Sequence, residues 1–357
     1  MSSLLEKEII NRFGKEHVIL TGRATSALYL CFSNLPMKSG YIIFPAILCP
    51  SPVYAAIYAG YKPIFCDVTY PDGNLDPIKL EKLIEEKGKK IAAVLVAHLY
   101  GQAAQIDRIA KIATAFDIPL IEDAAQSMGG QYKNKPLGSY GDISILSFGH
   151  TKILDAGFGG SILTNDSVLA SQLRVDEKKL NTKPTEYSEY ANKYRSDYYR
   201  LKESSECNNV FSYLLNQYKD LFLFKYDSNH DEALLKLLKN LEYEVEERNR
   251  KALIYFNELK DKNILLQEPH KKNVCWRFNI FVPPEKQRVI TEKLRNIGLN
   301  ASNWYLALPK YFGTEHREKR VFLNAESHER SIINLWVDNK TSESDIAKTC
   351  KYISDLS

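Results

Sequence analysis

Four apolar runs punctuate the first half of the chain, YIIF (41–44), IAAVLVA (91–97), IPLIED (118–123) and ISILSF (143–148). Amphipathic stretches such as LDPIKLEKLIEEKGKK and IDRIAKIATAFD alternate with them. Strands that are apolar throughout are buried on both faces. The alternation therefore predicts a three-layer α/β domain with a mainly parallel sheet between helices. In such sheets ligands sit beyond the carboxyl ends of the strands. From about Val175 to Phe224 the pattern changes to a charged, tyrosine-rich segment with no strand signal, read as a helical insertion or a flap. A single long amphipathic helix is expected over 231–259. NVCWRFNIFVP then reads as a strand, and EKQRVITEKLRNIG and SESDIAKTCKYIS as helices. This suggests a smaller α+β C-terminal domain. The expected division is 1–232 for the large domain, with the insertion at about 176–224, and 233–357 for the small one.

Composition narrows the class without naming it. The chain has 357 residues, 44% hydrophobic and 26% charged, as in an ordinary globular protein. No apolar run approaches the roughly 20 residues of a membrane span, and MSSLLEKEIINRFG does not read as a secretory signal. The formal net charge of +4 is spread over mixed surfaces, without the basic stripe of a nucleic-acid binder. Cys31, Cys49, Cys66, Cys207, Cys275 and Cys350 form no CxxC pair. They read as reduced thiols of a cytoplasmic protein, with no metal site.

Three strand ends carry usable chemistry. IPLIEDAAQSMGG places Asp123 just past an apolar run and Gln126 after it. ISILSFGHTK places Ser147 and Lys152 together. LTGRATSALYL places Gly22, Thr25 and Ser26 before a helix expected from about Ala27. Such a turn offers backbone N–H groups and a helix dipole to an anion. Taken singly these residues have plain readings: a surface lysine, a helix cap at Asp123, caps at Thr25 and Ser26, a core hydroxyl at Ser147, a turn at GFGG. Taken together they match the needs of pyridoxal 5'-phosphate. It requires an amine for its aldehyde, a carboxylate for its ring nitrogen, and donors for its phosphate.

The set also resembles a known family. GRATSAL, PAILCPS, HLYGQAAQID, EDAAQSMGG, SFGHTK and GFGGSILTND follow the motif order of the DegT/StrS-type aminotransferases, pyridoxal-phosphate enzymes of fold type I. The resemblance covers about 20–166 and resumes more faintly over 231–357. It implies Lys152 as the Schiff-base lysine and Asp123 as the partner of the ring nitrogen. It also implies Gln126 beside the ring, Ser147 with Ala24, Thr25 and Ser26 around the phosphate, and Cys49 at the position of the ring-stacking aromatic. The pyridoxamine form would be the intermediate. The family is usually a homodimer that aminates a keto group on a nucleotide-linked sugar, with glutamate as donor. His98 and Tyr100 read as pocket residues, with a satisfied strand-end histidine as the alternative. Tyr305 and Lys310 fall in a region that touches substrate in the family. Arg277 reads as an ordinary surface ion pair, with a carboxylate or phosphate contact as the alternative.

The chain departs from the family pattern at three places. Phe158 replaces the acid of G-E/D-G-G, the N-Y-R motif has no clean match (Lys225 or Asn229 being the nearest substitutes), and the tyrosine-rich segment is extra. The leading expectation is an aminotransferase. A dehydratase on the same scaffold and a cofactor-binding regulator are the alternatives, and the presence of Lys152 argues against the dehydratase.

Overall fold

The computed structural model describes residues 3–203, 210–270, 272–312 and 321–356. Cys207 lies outside them. In chain order the first part comprises α1 (Leu4–Phe13), β1 (His17–Thr21), α2 (Ala24–Ser33), β2 (Tyr41–Pro45), α3 (Pro50–Tyr58), β3 (Lys62–Cys66), α4 (Pro77–Lys87), β4 (Ile91–Ala97), α5 (Ile106–Ala115) and β5 (Leu120–Asp123). A short hairpin of β6 (Gln131–Tyr132) and β7 (Lys135–Pro136) follows, then β8 (Ile143–Ser147), β9 (Gly160–Thr164) and α6 (Ser167–Lys179).

Seven of these strands form one sheet in the order β1-β9-β8-β5-β4-β2-β3. The pairs β2–β3, β2–β4, β4–β5 and β5–β8 are parallel, whereas β9 runs antiparallel to both β8 and β1. The architecture is thus α/β with a mainly parallel sheet. The interior strand β4, next to the central β5, is buried at every position. Val94 and Val96 face the cluster with Leu80, Ile84, Ile106 and Ile109 of α4 and α5. Ala93, Leu95 and Ala97 face the opposite cluster, with α1, α2 and α3. This is the period-two alternation of a strand covered on both sides. Each fully buried Val, Leu or Ile contributes about 1.5–3 kcal/mol.

Helix starts follow local chemistry. Asp76 accepts from the N–H groups of Ile78 and Lys79, with Pro77 at the first turn of α4. Asp166 does the same for Val168 and Leu169 at α6. The start of α2 differs from expectation. It begins at Ala24 rather than about Ala27, so Thr25 and Ser26 lie inside its first turn and do not cap it.

The tyrosine-rich segment is helical where it is described, as α7 (Tyr187–Glu203), α8 (Val210–Gln217) and α9 (Lys219–Phe222). It packs inward through aromatic contacts, with Tyr194 5.1 Å from Phe222 and Tyr54 5.5 Å from Phe222 between ring centroids. The expected long helix is two helices, α10 (Asp231–Lys239) and α11 (Leu241–Leu259). They are divided at Asn240, whose φ of −97° and ψ of 7° leave the helical region.

The C-terminal part adds β10 (Leu265–Leu266), β11 (Phe278–Phe281), α12 (Pro284–Asn296), β12 (Ala301–Ser302), α13 (Leu323–Ser331), β13 (Ile332–Leu335) and α14 (Glu343–Leu356). Its four strands form an antiparallel sheet in the order β10-β11-β13-β12. α11, α12 and α14 pack on it through Tyr255, Leu294 and Ile346. No helix among the described residues is long and apolar enough to cross a membrane.

The segment before β11 meets the large sheet at Gly101. Gly101 has φ +86°, and a Cβ there would come within 1.7 Å of the Val274 carbonyl oxygen. Only glycine accepts both the conformation and the contact. Gly101→Ala is expected to destabilise the protein by at least about 2 kcal/mol, read as a lower midpoint in urea unfolding. An unchanged midpoint would mean that this approach does not bear on stability.

Candidate active site

Because six of the seven strands run the same way, the ends of β1, β2, β4, β5 and β8 open onto one edge of the sheet. The loop after β8 carries Lys152. Asp155 fixes it by accepting from the N–H groups of Thr151 (2.9 Å) and Gly157 (3.0 Å). The Lys152 N–H donates to the Gly149 carbonyl at 3.2 Å, and Arg248 Nη2 donates to the Lys152 carbonyl at 3.4 Å. The lysine backbone is therefore held from both sides.

Burial pushes the Lys152 amine below the usual lysine range. Cys49 and Asp123 oppose the shift, and the nearby cations Arg23 and Arg277 reinforce it. An amine held this way loses its proton more readily and is a better nucleophile. Asp123, the last residue of β5, is buried, and burial raises its pKa against the pull of Lys152. Its Oδ1 accepts from the Ala125 N–H at 2.9 Å, but the stretch after it is a turn and not the helix that would make Asp123 a cap. A cation or N–H placed against this carboxyl would restore its charged form.

The first turn of α2 is the third part. Ala24, Thr25 and Ser26 are its first residues, Thr25 and Ser26 are buried, and no side chain caps the helix. Its leading N–H groups have no partner within a helix, and the dipole adds positive potential. Gly160 lies against this end, where a Cβ would come within 2.4 Å of the Ala24 nitrogen. The glycine after Lys152 thus makes room for the chain itself and not simply for a ligand. The Ser26 hydroxyl is occupied by Phe224, accepting from its N–H at 3.1 Å and directed at the carbonyls of Phe222 and Phe224 at 3.0 Å. The Ser147 hydroxyl accepts from the Gly149 N–H at 3.4 Å and keeps its own proton to donate.

Gln126, Tyr100 and Tyr305 form one hydrogen-bonded unit. Gln126 accepts from the Tyr100 N–H at 2.9 Å and donates to the Tyr305 hydroxyl at 3.2 Å. The Tyr305 N–H donates to the Tyr100 hydroxyl at 3.0 Å. Cys49 sits at the start of α3, its thiol 3.5 Å from the Ser51 hydroxyl. The thiol lies within electrostatic reach of Lys152, Tyr305 and the α7 residues Tyr194 and Tyr198.

His98 lies near Asp123, but both its ring nitrogens are engaged. Nδ1 accepts from the Ala104 N–H at 3.1 Å, and Nε2 donates to Glu122 at 2.9 Å. The Lys310 amine is held by Glu329 at 2.7 Å. Phe158 packs on His230 with 3.9 Å between ring centroids. With Lys183 and Lys225 they help line a cavity of about 380 Å³ whose lining does not include Lys152. Asn229 is exposed.

Two arginines were misjudged or missed. Arg277 is buried and not in a surface ion pair. Arg23 is turned inward, donating to the Tyr187 hydroxyl at 2.6 Å. A signal existed for Arg277, because no acid occurs anywhere in NVCWRFNIF.

The α/β sheet thus brings a buried lysine with a lowered pKa, a buried aspartate and an uncapped helix end to one edge. The chain matches the DegT/DnrJ/EryC1/StrS aminotransferase family over residues 2–354 and belongs to that family. It is 35% identical over 171 residues to the GDP-perosamine synthase of Caulobacter vibrioides, covering 48% of this chain and 45% of that one. It is 32% identical over 170 residues to the UDP-4-amino-4,6-dideoxy-N-acetyl-beta-L-altrosamine transaminase of Campylobacter jejuni, again 48% and 45%. The chain spans about half the length of the curated relatives it matches. The solved Helicobacter pylori PseC, an aminotransferase involved in the biosynthesis of pseudoaminic acid, has the same fold. Its TM-score is 0.79 at 19% identity, covering 98% of this chain and 89% of that one.

His328 of α13 stacks on the far side of Tyr100, 5.7 Å away and 12° from parallel. It is fully buried, and neither ring nitrogen has a hydrogen-bond partner. Burial pushes its pKa down from 6.5 to about 3. Above pH 6.5 the ring is neutral in both folded and unfolded chains. As pH falls below 6.5 the unfolded chain binds a proton that the folded chain refuses, so stability drops by about 1.4 kcal/mol per pH unit. His328→Leu is expected to flatten this slope by about one proton between pH 6.5 and 5, measured by urea unfolding at each pH. Parallel slopes for the two proteins would disprove the assignment.

Proposed function

We propose that this protein is a pyridoxal-phosphate-dependent aminotransferase that moves an amino group from an amino acid, glutamate being the expected donor, to a keto group of a nucleotide-linked sugar. The observation that carries this reading is the Lys152 amine within electrostatic reach of the Asp123 carboxyl, on the same sheet edge as the uncapped start of α2. The donor set fits the cofactor. The orphaned N–H groups of Ala24, Thr25 and Ser26, with the Ser147 hydroxyl, suit its phosphate. Asp123, raised by burial while nothing cationic contacts it closely, suits the protonated ring nitrogen. Lys152 suits its aldehyde.

When bound, that cofactor supplies an electron sink for carbon–nitrogen bond chemistry. The chain's own residues do the rest. Asp123 holds a proton on the ring nitrogen. Gln126, fixed by Tyr100 and Tyr305, presents a rigid amide beside the ring. The Lys152 amine would hold the cofactor through its aldehyde and, as a free amine, would be the group that moves a proton as general base and acid. The relatives' names support the nucleotide-linked sugar as acceptor. A homodimer in the cytoplasm belongs to the same proposal. The free thiols Cys31, Cys49, Cys66, Cys275 and Cys350 support a reducing compartment.

The purified protein is expected to show a visible band of lysine-bound cofactor, which glutamate shifts and borohydride fixes at Lys152. Lys152→Ala should keep its fold, lose the band, and lose transamination by roughly 10²–10⁴-fold or more. A wild type that neither takes up the cofactor nor responds to glutamate rules the proposal out. Uptake with no transfer to any keto sugar favours a regulatory protein.

A further inference from the structure

Arg277 lies one residue before β11 and is 1% exposed. Its Nη1 donates to the Trp276 carbonyl at 2.8 Å, but Nε and Nη2 have no hydrogen-bond partner. Its guanidinium carbon lies 4.5 Å from the ring centroid of Trp276 and 4.2 Å from that of Trp336. No carboxylate among the described residues pairs with it. The acid that acts on it most is Asp338, whose Oδ1 is taken by the Lys340 N–H and the Thr341 hydroxyl. A second buried guanidinium, Arg248, points Nη1 at the same Trp276 carbonyl, leaves Nε unpartnered, and also lacks a carboxylate. Two like charges buried side by side without an anion form a costly arrangement. A chain keeps it when an anion arrives from outside.

The direction of Arg277 is readable from its neighbours. Its charge lowers the Lys152 amine and also lowers the Tyr305 hydroxyl against the effect of burial. The guanidinium is therefore in electrostatic reach of the reacting amine. The unused atoms are also a matched pair. Nε and Nη2 make up one edge of the guanidinium, the two-donor fork that takes both oxygens of a carboxylate in its own plane.

We infer that Arg277 is a substrate-binding residue that takes a carboxylate through Nε and Nη2, next to the Thr151–Lys152 loop that Trp276 and Arg248 hold, with Arg248 adding charge. This inference rests on the aminotransferase reading. The carboxylate belongs either to the amino-acid donor or to an acidic sugar acceptor, and the two sources separate by experiment.

Binding is measured by calorimetry on the cofactor-loaded protein and on its borohydride-fixed form, which cannot turn over. One arm compares L-glutamate with its α-amide. The other compares UDP-glucuronate with UDP-glucose. In one arm the ligand is expected to bind about tenfold or more tightly than the analogue that lacks that one carboxylate. Arg277→Gln should abolish that preference, and Arg277→Lys, which keeps charge without the fork, should retain only part of it. Thermal unfolding of each variant shows whether it is folded. If Arg277→Gln is not, Arg277→Lys carries the test. Absence of any carboxylate preference in the wild type overturns the inference. So does full preference in Arg277→Gln, or in a folded Arg277→Lys, and so does tighter binding of inorganic phosphate than of either carboxylate. If no cofactor loads but apo-protein still prefers the carboxylate through Arg277, the receptor stands and the aminotransferase reading falls.

Discussion

The site depends on how the chain from Val274 to Arg277 is seated against the large sheet. Gly101 admits the Val274 carbonyl where no side chain would. The Trp276 N–H then donates to the Tyr100 carbonyl at 3.0 Å, and its indole N–H donates to the carbonyl of Thr151, next to Lys152. The Trp276 carbonyl in turn receives both buried arginines. One short segment thus touches the loop after β4, the loop after β8 and the start of β11. The lysine, the Gln126–Tyr100–Tyr305 unit and the two guanidiniums keep their relative positions because they share it. Stacking extends the same joint, since Trp276 lies 6.2 Å from Tyr100 and 6.1 Å from Tyr305, both rings nearly parallel to it.

Glu122 and Asp123 show how one sheet supports two carboxylates with different tasks. They are adjacent in β5, so the strand sends them to opposite faces. Glu122 accepts from the N–H groups of Gly138, Tyr140 and Gly141 and from His98. Despite the opposing effect of burial, these bonds hold its pKa below the usual range. It is a satisfied internal anion that ties the hairpin region to β5 and fixes the His98 ring. Asp123 has one N–H for its carboxyl and is raised by burial. The contrast is physical evidence for their roles, because a structural charge is fully solvated by the protein and a functional one is left wanting a partner.

The parts of the fold that were legible in the sequence are those with strong local signals. All four apolar runs became strands of the large sheet, and IPLIED supplied its central strand with IAAVLVA beside it. The strands HVILT, KPIFC and GSILT were passed over. Each is five residues long and opens on a polar residue or glycine, and β9 runs against the others. The break at Asn240 was hidden because leucines keep their helical spacing across it, from Leu234 and Leu238 to Leu241. Lys152, Asp123 and Gln126 could be assembled from order and spacing. For Arg277 the acid-free stretch NVCWRFNIF was the one hint, and it could not reveal the burial that Trp276 and Trp336, sixty residues apart in sequence, produce together.

Cys49 and the tyrosine-rich helix belong to one physical change. The resemblance places an aromatic ring where this chain has a small thiol. That thiol is within electrostatic reach of Tyr194 and Tyr198, two turns of α7 that approach from the insertion. Tyr194 also acts electrostatically on Tyr54 of α3, and the inward-turned Arg23 meets Tyr187 and the Phe222 ring. A large ring at position 49 would compete with these side chains for the same space. The insertion therefore brings aromatic surface to the side of the sheet edge where Cys49 stands, and under the proposed function the acceptor would be chosen by contacts of this kind, which the shared motifs do not encode.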